Sequence, residues 1–127
     1  MSIIRHGIDL VGCDRIADML ERHGEPFLCR VLTAAERRRA SALRDPTQFV
    51  AGRWAAKEAI MKMIGTGWRG GISWTDMEVL SDTLGQPTVA LSGETARIAA
   101  DLGVTRVLLS ITHTREYAAA SAIGVGD

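Results

Sequence analysis

Asp9, in "GIDLV", and Glu58, in "FVAGRWAAKEAIMKMIGTG" from Phe49 to Gly67, are carboxylates set among apolar residues. A strand interior disfavours aspartate, and desolvation disfavours its charge. Glu58 meets the same difficulty on a helix. At 3.6 residues per turn, Phe49, Gly52, Ala56, Ala59, Ile60 and Met63 form one apolar stripe, and Glu58 lies nearly opposite it beside Ala51, Trp54, Ala55 and Met61. Both faces of this helix are therefore expected to meet protein. A carboxylate in such surroundings has to be paired, hydrogen-bonded or bound to a metal. Together Asp9 and Glu58 supply hard oxygen ligands for Mg²⁺, which takes one or two carboxylates and completes its shell with water and substrate phosphate. The competing readings are a surface pair between Glu58 and Lys62 at i,i+4, and a strand-end Asp9 that bonds nearby backbone.

Cations gather near these acids. Arg53, Lys57 and Lys62 share the helix of Glu58, and Arg44 stands just before it, a mixture suited to a phosphorylated substrate. Arg53 points toward the apolar stripe and calls for an anionic partner, whereas Lys57 lies at the edge, where its stem can snorkel. His113 falls at a hairpin bend, where it can donate to a phosphate, move a proton, or serve only as a polar loop residue.

The elements that must position these groups can be read from the pattern. Ile3 to Val11 reads as a strand, followed by a helix through "RIADMLERHG" that Asp14 caps and Gly24 stops. Thr33 with Glu36 three residues later is a capping box that opens a second helix, whose Arg37–Arg38–Arg39 run forms a solvated face. The long helix gives way to "GTGWRGG", a loop whose backbone can approach a ligand closely. "ISWTDMEVL", the turn "SDTLGQP" and "TVALS" form a β-hairpin, "GETARIAADLG" a helix, and "RVLLSIT" and "AAASAIGV" a second hairpin with His113 and Thr114 at its bend. This predicts one small α+β domain whose antiparallel sheet packs on a long central helix. A helix apolar on both sides is hard for a chain this size to cover, so oligomeric help is also expected.

Composition narrows the function. Fifteen basic and fifteen acidic residues cancel, and aromatic residues are few, so neither a nucleic-acid field nor a base-stacking platform is expected. With 46% hydrophobic residues the 127-residue chain can bury a core, yet it shows no signal peptide and no apolar run long enough to span a membrane. A cytoplasmic protein is expected, with Cys13 and Cys29 as free thiols.

"GIDLVGCDRI", "FVAGRWAAKEAIMKMIGTG" with "ISWTDMEVL", and "SITHTREYAAASAI" resemble, in order and separation, the three signature regions of the holo-acyl-carrier-protein synthase family of the 4′-phosphopantetheinyl transferase superfamily. "RVLTAAE" and "LGQP" are similar to that family as well, so the resemblance covers nearly the whole chain. It implies a single transferase domain over residues 1–127 that moves 4′-phosphopantetheine from coenzyme A to a serine of apo-acyl carrier protein and releases 3′,5′-ADP. It also implies Mg²⁺ held by Asp9 and Glu58, and a homotrimer with sites between subunits. Coenzyme A would lie against Arg53, Lys62, Gly65, Gly67, His113 and Thr114, with catalysis by Glu58, Lys62 and Asp9. The serine proton would go to Glu58 or Asp9, directly or through water. Arg15 and Arg22 fit the basic first helix expected to dock an acidic carrier, but Glu25 stands where the family more often has a basic residue. The alternatives are a non-catalytic trimeric coenzyme A or nucleotide-binding module of the same fold, and a subunit that docks carrier without modifying it.

Overall fold

The computed structural model describes residues 1–68 and 70–127; Arg69, within the predicted glycine loop, lies outside them. Strand β1 (Ser2–Gly12) runs directly into helix α1 (Cys13–His23), followed by α2 (Glu25–Val31), α3 (Ala34–Ser41) and the long α4 (Thr47–Ile64). A 3-10 turn at Trp74–Asp76 leads into β2 (Met77–Ser81) and β3 (Pro87–Leu91). Helix α5 (Gly93–Asp101) and the pair β4 (Arg106–His113) and β5 (Tyr117–Gly126) complete the order.

Strands β1, β5 and β4 form one antiparallel sheet in that spatial order, and β2 with β3 forms a separate hairpin. The α+β architecture is therefore the one the sequence predicts. Helix α4 lies between two layers: the three-stranded sheet covers one side, while α1 and β2 contact the other. Ala51, Ala55 and Met61, expected to need a neighbouring subunit, are all buried within the single chain. Coverage of this helix thus gives no reason for assembly.

Close contact between β1 and α4 depends on Gly7. A β-carbon there would collide with the Ala59 carbonyl oxygen and stand 2.6 Å from the Met63 nitrogen, so the strand could not approach the helix with any larger residue. The helix ends at Gly65, whose φ of 78° gives the left-handed turn that a β-carbon would strain.

Three local expectations need correction. Asp14 does not cap α1, because Cys13 N–H still donates to the Glu116 carbonyl at 2.8 Å, in continuation of the sheet, and Gly12 takes the cap position. Asp14 falls instead in the first turn. Helix α2 was not foreseen; its Pro26 occupies the first turn, where the missing N–H removes no helical bond. Lys57 does not snorkel at an edge; its side chain is fully buried.

Its ammonium donates to Glu36 Oε1 and to the Val31 carbonyl, both at 2.6 Å. Glu36 is equally buried and also accepts from Thr33 N–H and Val79 N–H, both at 2.8 Å. The predicted capping box is present, and its acid doubles as counter-ion to the central helix. Burial pulls the Lys57 ammonium below its ordinary value, with Glu36 acting in the opposite direction. Because an unpartnered buried charge is far costlier than none, Lys57→Met is expected to destabilise the fold by about 3–5 kcal/mol. Lys57→Met combined with Glu36→Leu should recover much of that loss, read as urea midpoints of the three proteins. A single variant as stable as wild type would show the pair to be dispensable.

Candidate active site

Alternation along β1 turns Gly7, Asp9 and Val11 toward α4. Asp9 thereby reaches the last turns of the helix, where Lys62 Nζ meets its Oδ1 at 3.0 Å. The ion pair of Lys62 is therefore this longer-range contact and not the alternative i,i+4 pair with Glu58. Glu58 sits one turn earlier, partly buried. Burial pushes its carboxyl above the ordinary glutamate value and the nearby Asp9 charge adds to this, while the polar edge of Trp68 and the charges of Lys62 and Arg15 work against it. Two carboxylates and an ammonium therefore share one end of α4. Like charges held together need a cation or a proton between them.

Among the described residues no three His, Cys, Asp or Glu side chains converge. Two carboxylates suffice for Mg²⁺, which keeps water and substrate oxygens in its remaining positions, so Asp9 and Glu58 are a donor set that fits the ion.

Glu58 opens onto a cavity of about 540 Å³. Trp54, Trp68, Trp74 and Phe27 supply apolar wall, and Arg15 and Arg30 line it as well. The aromatic rings form a chain, with centroids 6.0 Å apart for Phe27–Trp54, 4.5 Å for Trp54–Trp74 and 4.1 Å for Trp68–Trp74. The Arg15 guanidinium stands 5.3 Å from the Trp54 ring centroid, a cation–π contact. Arg22 is exposed and held by Asp18 at 3.1 Å. The sequence pattern did not single out Arg30, because α2 was not expected. Nor did it single out Trp68, although a large aromatic residue among loop glycines is a signal that could have found it.

The remaining candidates lie apart from this group. Arg53 and His113 line a second cavity of about 290 Å³ with Phe49, Gly52 and Ile111. Among the described residues Arg53 pairs with no carboxylate: its Nε donates to the Val79 carbonyl at 3.2 Å, and its guanidinium lies 4.3 Å from the Phe49 ring centroid. Burial lowers its pKa, and the Glu36 charge opposes that shift. Thr114 shapes the β4–β5 turn, its hydroxyl accepting from the N–H groups of Glu116 and Tyr117. Gly65 lines a third cavity with Thr66, Glu94 and Arg97, and Gly67 follows in the loop. Within one chain, Asp9, Glu58 and Lys62 come together, whereas Arg53 and His113 open elsewhere.

Comparison with known proteins identifies the family of the chain. The 4′-phosphopantetheinyl transferase superfamily matches residues 5–122. A holo-[acyl-carrier-protein] synthase of Koribacter versatilis is 46% identical over 121 residues, 95% of this chain and 97% of that protein. The crystal structure of the synthase from Neisseria meningitidis superposes with a TM-score of 0.89 at 30% identity, covering 98% of this chain and 99% of its own. That of Bacillus anthracis, in complex with coenzyme A (3′,5′-ADP), gives 0.83 at 37% identity, with 98% of each chain covered. With its signature helix, its sheet and nearly its whole length shared with these proteins, the chain belongs to the 4′-phosphopantetheinyl transferase superfamily.

Proposed function

We propose that residues 1–127 form one holo-acyl-carrier-protein synthase domain, which transfers 4′-phosphopantetheine from coenzyme A to a serine of apo-acyl carrier protein and releases 3′,5′-ADP. The observation behind this is the meeting of Asp9, Glu58 and Lys62 beside a cavity lined by arginine and aromatic side chains. In the reaction the serine oxygen attacks the phosphorus that bears the pantetheine arm, and the bond from that phosphorus to the 3′,5′-ADP half breaks, its electron pair leaving with the nucleotide. The serine proton passes to Glu58 or Asp9, directly or through water. Lys62, more than half exposed while bonded to Asp9, is free to swing toward phosphate oxygens as their charge grows. Mg²⁺ held by Asp9 and Glu58 would offset the negative charge of the pyrophosphate.

Arg53, His113 and Thr114 are assigned to the nucleotide end of coenzyme A, as are Gly65 and Gly67. Since Arg53 and His113 open away from Glu58 in one chain, the complete site is assigned to the boundary between subunits of a homotrimer. The outer face of the sheet supports this, with Ile8 62%, Leu10 65% and Leu108 39% exposed. No helix among the described residues is long and apolar enough to cross a membrane. A cytoplasmic setting, with no membrane or nucleic-acid partner, suits the two free thiols, Cys13 buried and Cys29 exposed.

Glu58→Gln tests the core of the proposal. Incubation with apo-carrier, coenzyme A and Mg²⁺, followed by mass spectrometry, should show kcat lowered by about 100-fold or more. Stability should move the other way. A carboxyl whose folded value is raised adds stability below the ordinary glutamate value and loses it as pH rises through the raised one. At neutral pH the metal-free variant should therefore melt at or above the wild-type temperature. Near-wild-type turnover with unchanged Mg²⁺ dependence would remove Glu58 from the mechanism, and a wild type that binds coenzyme A without transferring its arm would favour the non-catalytic module.

Sharing of the site has a separate test. Light scattering should give three times the 13.7 kDa chain mass. Glu58→Gln and His113→Ala chains, each weak alone, should recover about a quarter of wild-type activity when co-expressed in equal amounts, because random mixing places both intact residues at that share of boundaries. A fully active monomer, or no recovery on mixing, would refute shared sites.

Carrier docking is assigned to Arg15, Arg22 and the neighbouring Arg30, which face an acidic partner from α1 and α2. Charges at a rim act mainly on encounter and are screened by salt. Arg15→Glu with Arg22→Glu should raise the carrier KM strongly at low salt and leave the coenzyme A KM nearly unchanged. An unaltered carrier KM would put docking elsewhere.

A further inference from the structure

Strand β1 carries a second charged residue on the side that faces α4. Its pairing with β5 shifts register between Ile3 and Arg5 and then runs unbroken from Arg5 to Gly12, so Arg5, Gly7 and Asp9 alternate onto one face. Gly124 stands opposite Arg5 and offers it no side chain to pack on. The guanidinium lies instead over the end of α4, its Nη1 3.1 Å from the point where a β-carbon of Gly65 would stand. Glu58, Lys62 and Gly65 follow one another at i, i+4 and i+7, so they fall on one stripe of the helix, about 10 Å from end to end. Glu58 begins that stripe, Lys62 continues it and Arg5 closes it.

Arg5 is exposed, and among the described residues it makes no ion pair. The acids nearby are taken: Asp9, on the same strand face, is bonded to Lys62, and Glu94, in the cavity beside Gly65, is paired with Arg97. A guanidinium without a carboxylate presents a planar fork of donors that fits two oxygens of a phosphate. We propose that Arg5 binds a phosphate of the nucleotide half of coenzyme A, at the end of α4 away from Glu58. The inference rests on the transferase reading, which puts the pyrophosphate at Asp9, Glu58 and Lys62 and the nucleotide against Gly65. Two phosphates stay with the nucleotide when the arm leaves, on the 5′ and 3′ carbons of its ribose, and the length of the stripe sets a cation within reach of them. Glycine at position 65 keeps this approach open, because a side chain there would crowd the guanidinium as well as strain the left-handed turn. The competing role is structural, with Arg5 only offsetting the negative end of the α4 dipole.

Arg5→Gln and Arg5→Lys, compared with wild type, separate the two roles. Arg5→Gln should raise the KM for coenzyme A about tenfold, the loss expected for hydrogen bonds to a charged group, and leave kcat and the carrier KM nearly unchanged. Arg5→Lys keeps the charge without the fork and should lose about threefold. Calorimetric titration with 3′,5′-ADP, in the absence of carrier, should show the same losses in affinity. Titration with 5′-AMP then tells the phosphates apart: a similar loss marks the 5′-phosphate and no loss marks the 3′-phosphate, and either supports the proposal. A folded Arg5→Gln protein that binds 3′,5′-ADP as wild type does would overturn it, whether or not its melting temperature falls. Should Arg5→Gln fail to fold, Arg5→Lys decides, and wild-type affinity in that variant would overturn the proposal. A wild type that binds 3′,5′-ADP but transfers nothing would refute the enzyme assignment while leaving the titrations to judge Arg5. A wild type that neither transfers nor binds the nucleotide would overturn both.

Discussion

Helix α4 is held between two layers, and the bond between the Lys57 ammonium and the Glu36 carboxylate sets its rotation within them. Both groups are fully buried and every strong partner they require is present: the Val31 carbonyl for the lysine, and the N–H groups of Thr33 and Val79 for the glutamate. A few degrees of rotation about the helix axis would strain all of these bonds together. Glu58 follows Lys57 in the chain and so projects about 100° further round the helix. Fixing the lysine inward therefore aims the glutamate at the cavity, and the buried pair, which by itself is weak evidence of stability, specifies the geometry of the site beside it.

The second constraint comes from the other side of α4. Gly7 allows β1 to approach the helix backbone more closely than a side chain would permit, and Asp9, two residues on, inherits that closeness. Asp9, Lys62 and Glu58 are consequently brought together by rigid elements instead of loops, which is what a site needs if its carboxylates are to stay near one another against their mutual repulsion.

Much of this was legible in the sequence because it follows from local chemistry. The Thr33–Glu36 capping box, the glycine that stops α4, the β2–β3 hairpin and the oddity of Asp9 and Glu58 each depend on a few adjacent residues. What stayed hidden depends on partners far along the chain. Periodicity treats a lysine as a marker of solvent, so it could not reveal that Lys57 meets a carboxylate 21 residues upstream. Arg53 was expected to need an anion for the same reason, and instead finds the Val79 carbonyl and the Phe49 ring. The family resemblance supplied roles for residues whose spacing alone left two readings open, and the contact between Lys62 and Asp9 resolves one of these against the simple i,i+4 pair.

Strand β1 also bears on assembly. Its alternation is inverted relative to an ordinary half-buried strand: Asp9 faces the helix, while Ile8 and Leu10 face outward and are well over half exposed. A slip of one residue would bury both apolar side chains and release the acid to water, and hydrophobic burial alone would favour it. Gly7 opposes the slip, because only glycine fits where that strand crosses α4, and the slipped register would put His6 or Ile8 against the helix backbone. The strand is therefore held in a register that gives up apolar burial within the chain and presents Asp9 to Lys62. Antiparallel sheets tolerate an open face when that face is polar. This one carries Ile8, Leu10 and Leu108 around the small residues Ala119 and Ser121 of the central strand, so its open face is apolar. The apolar surface that the proposed assembly would cover thus lies on the outer face of the sheet, whereas the helix whose pattern suggested oligomeric help is covered within the chain.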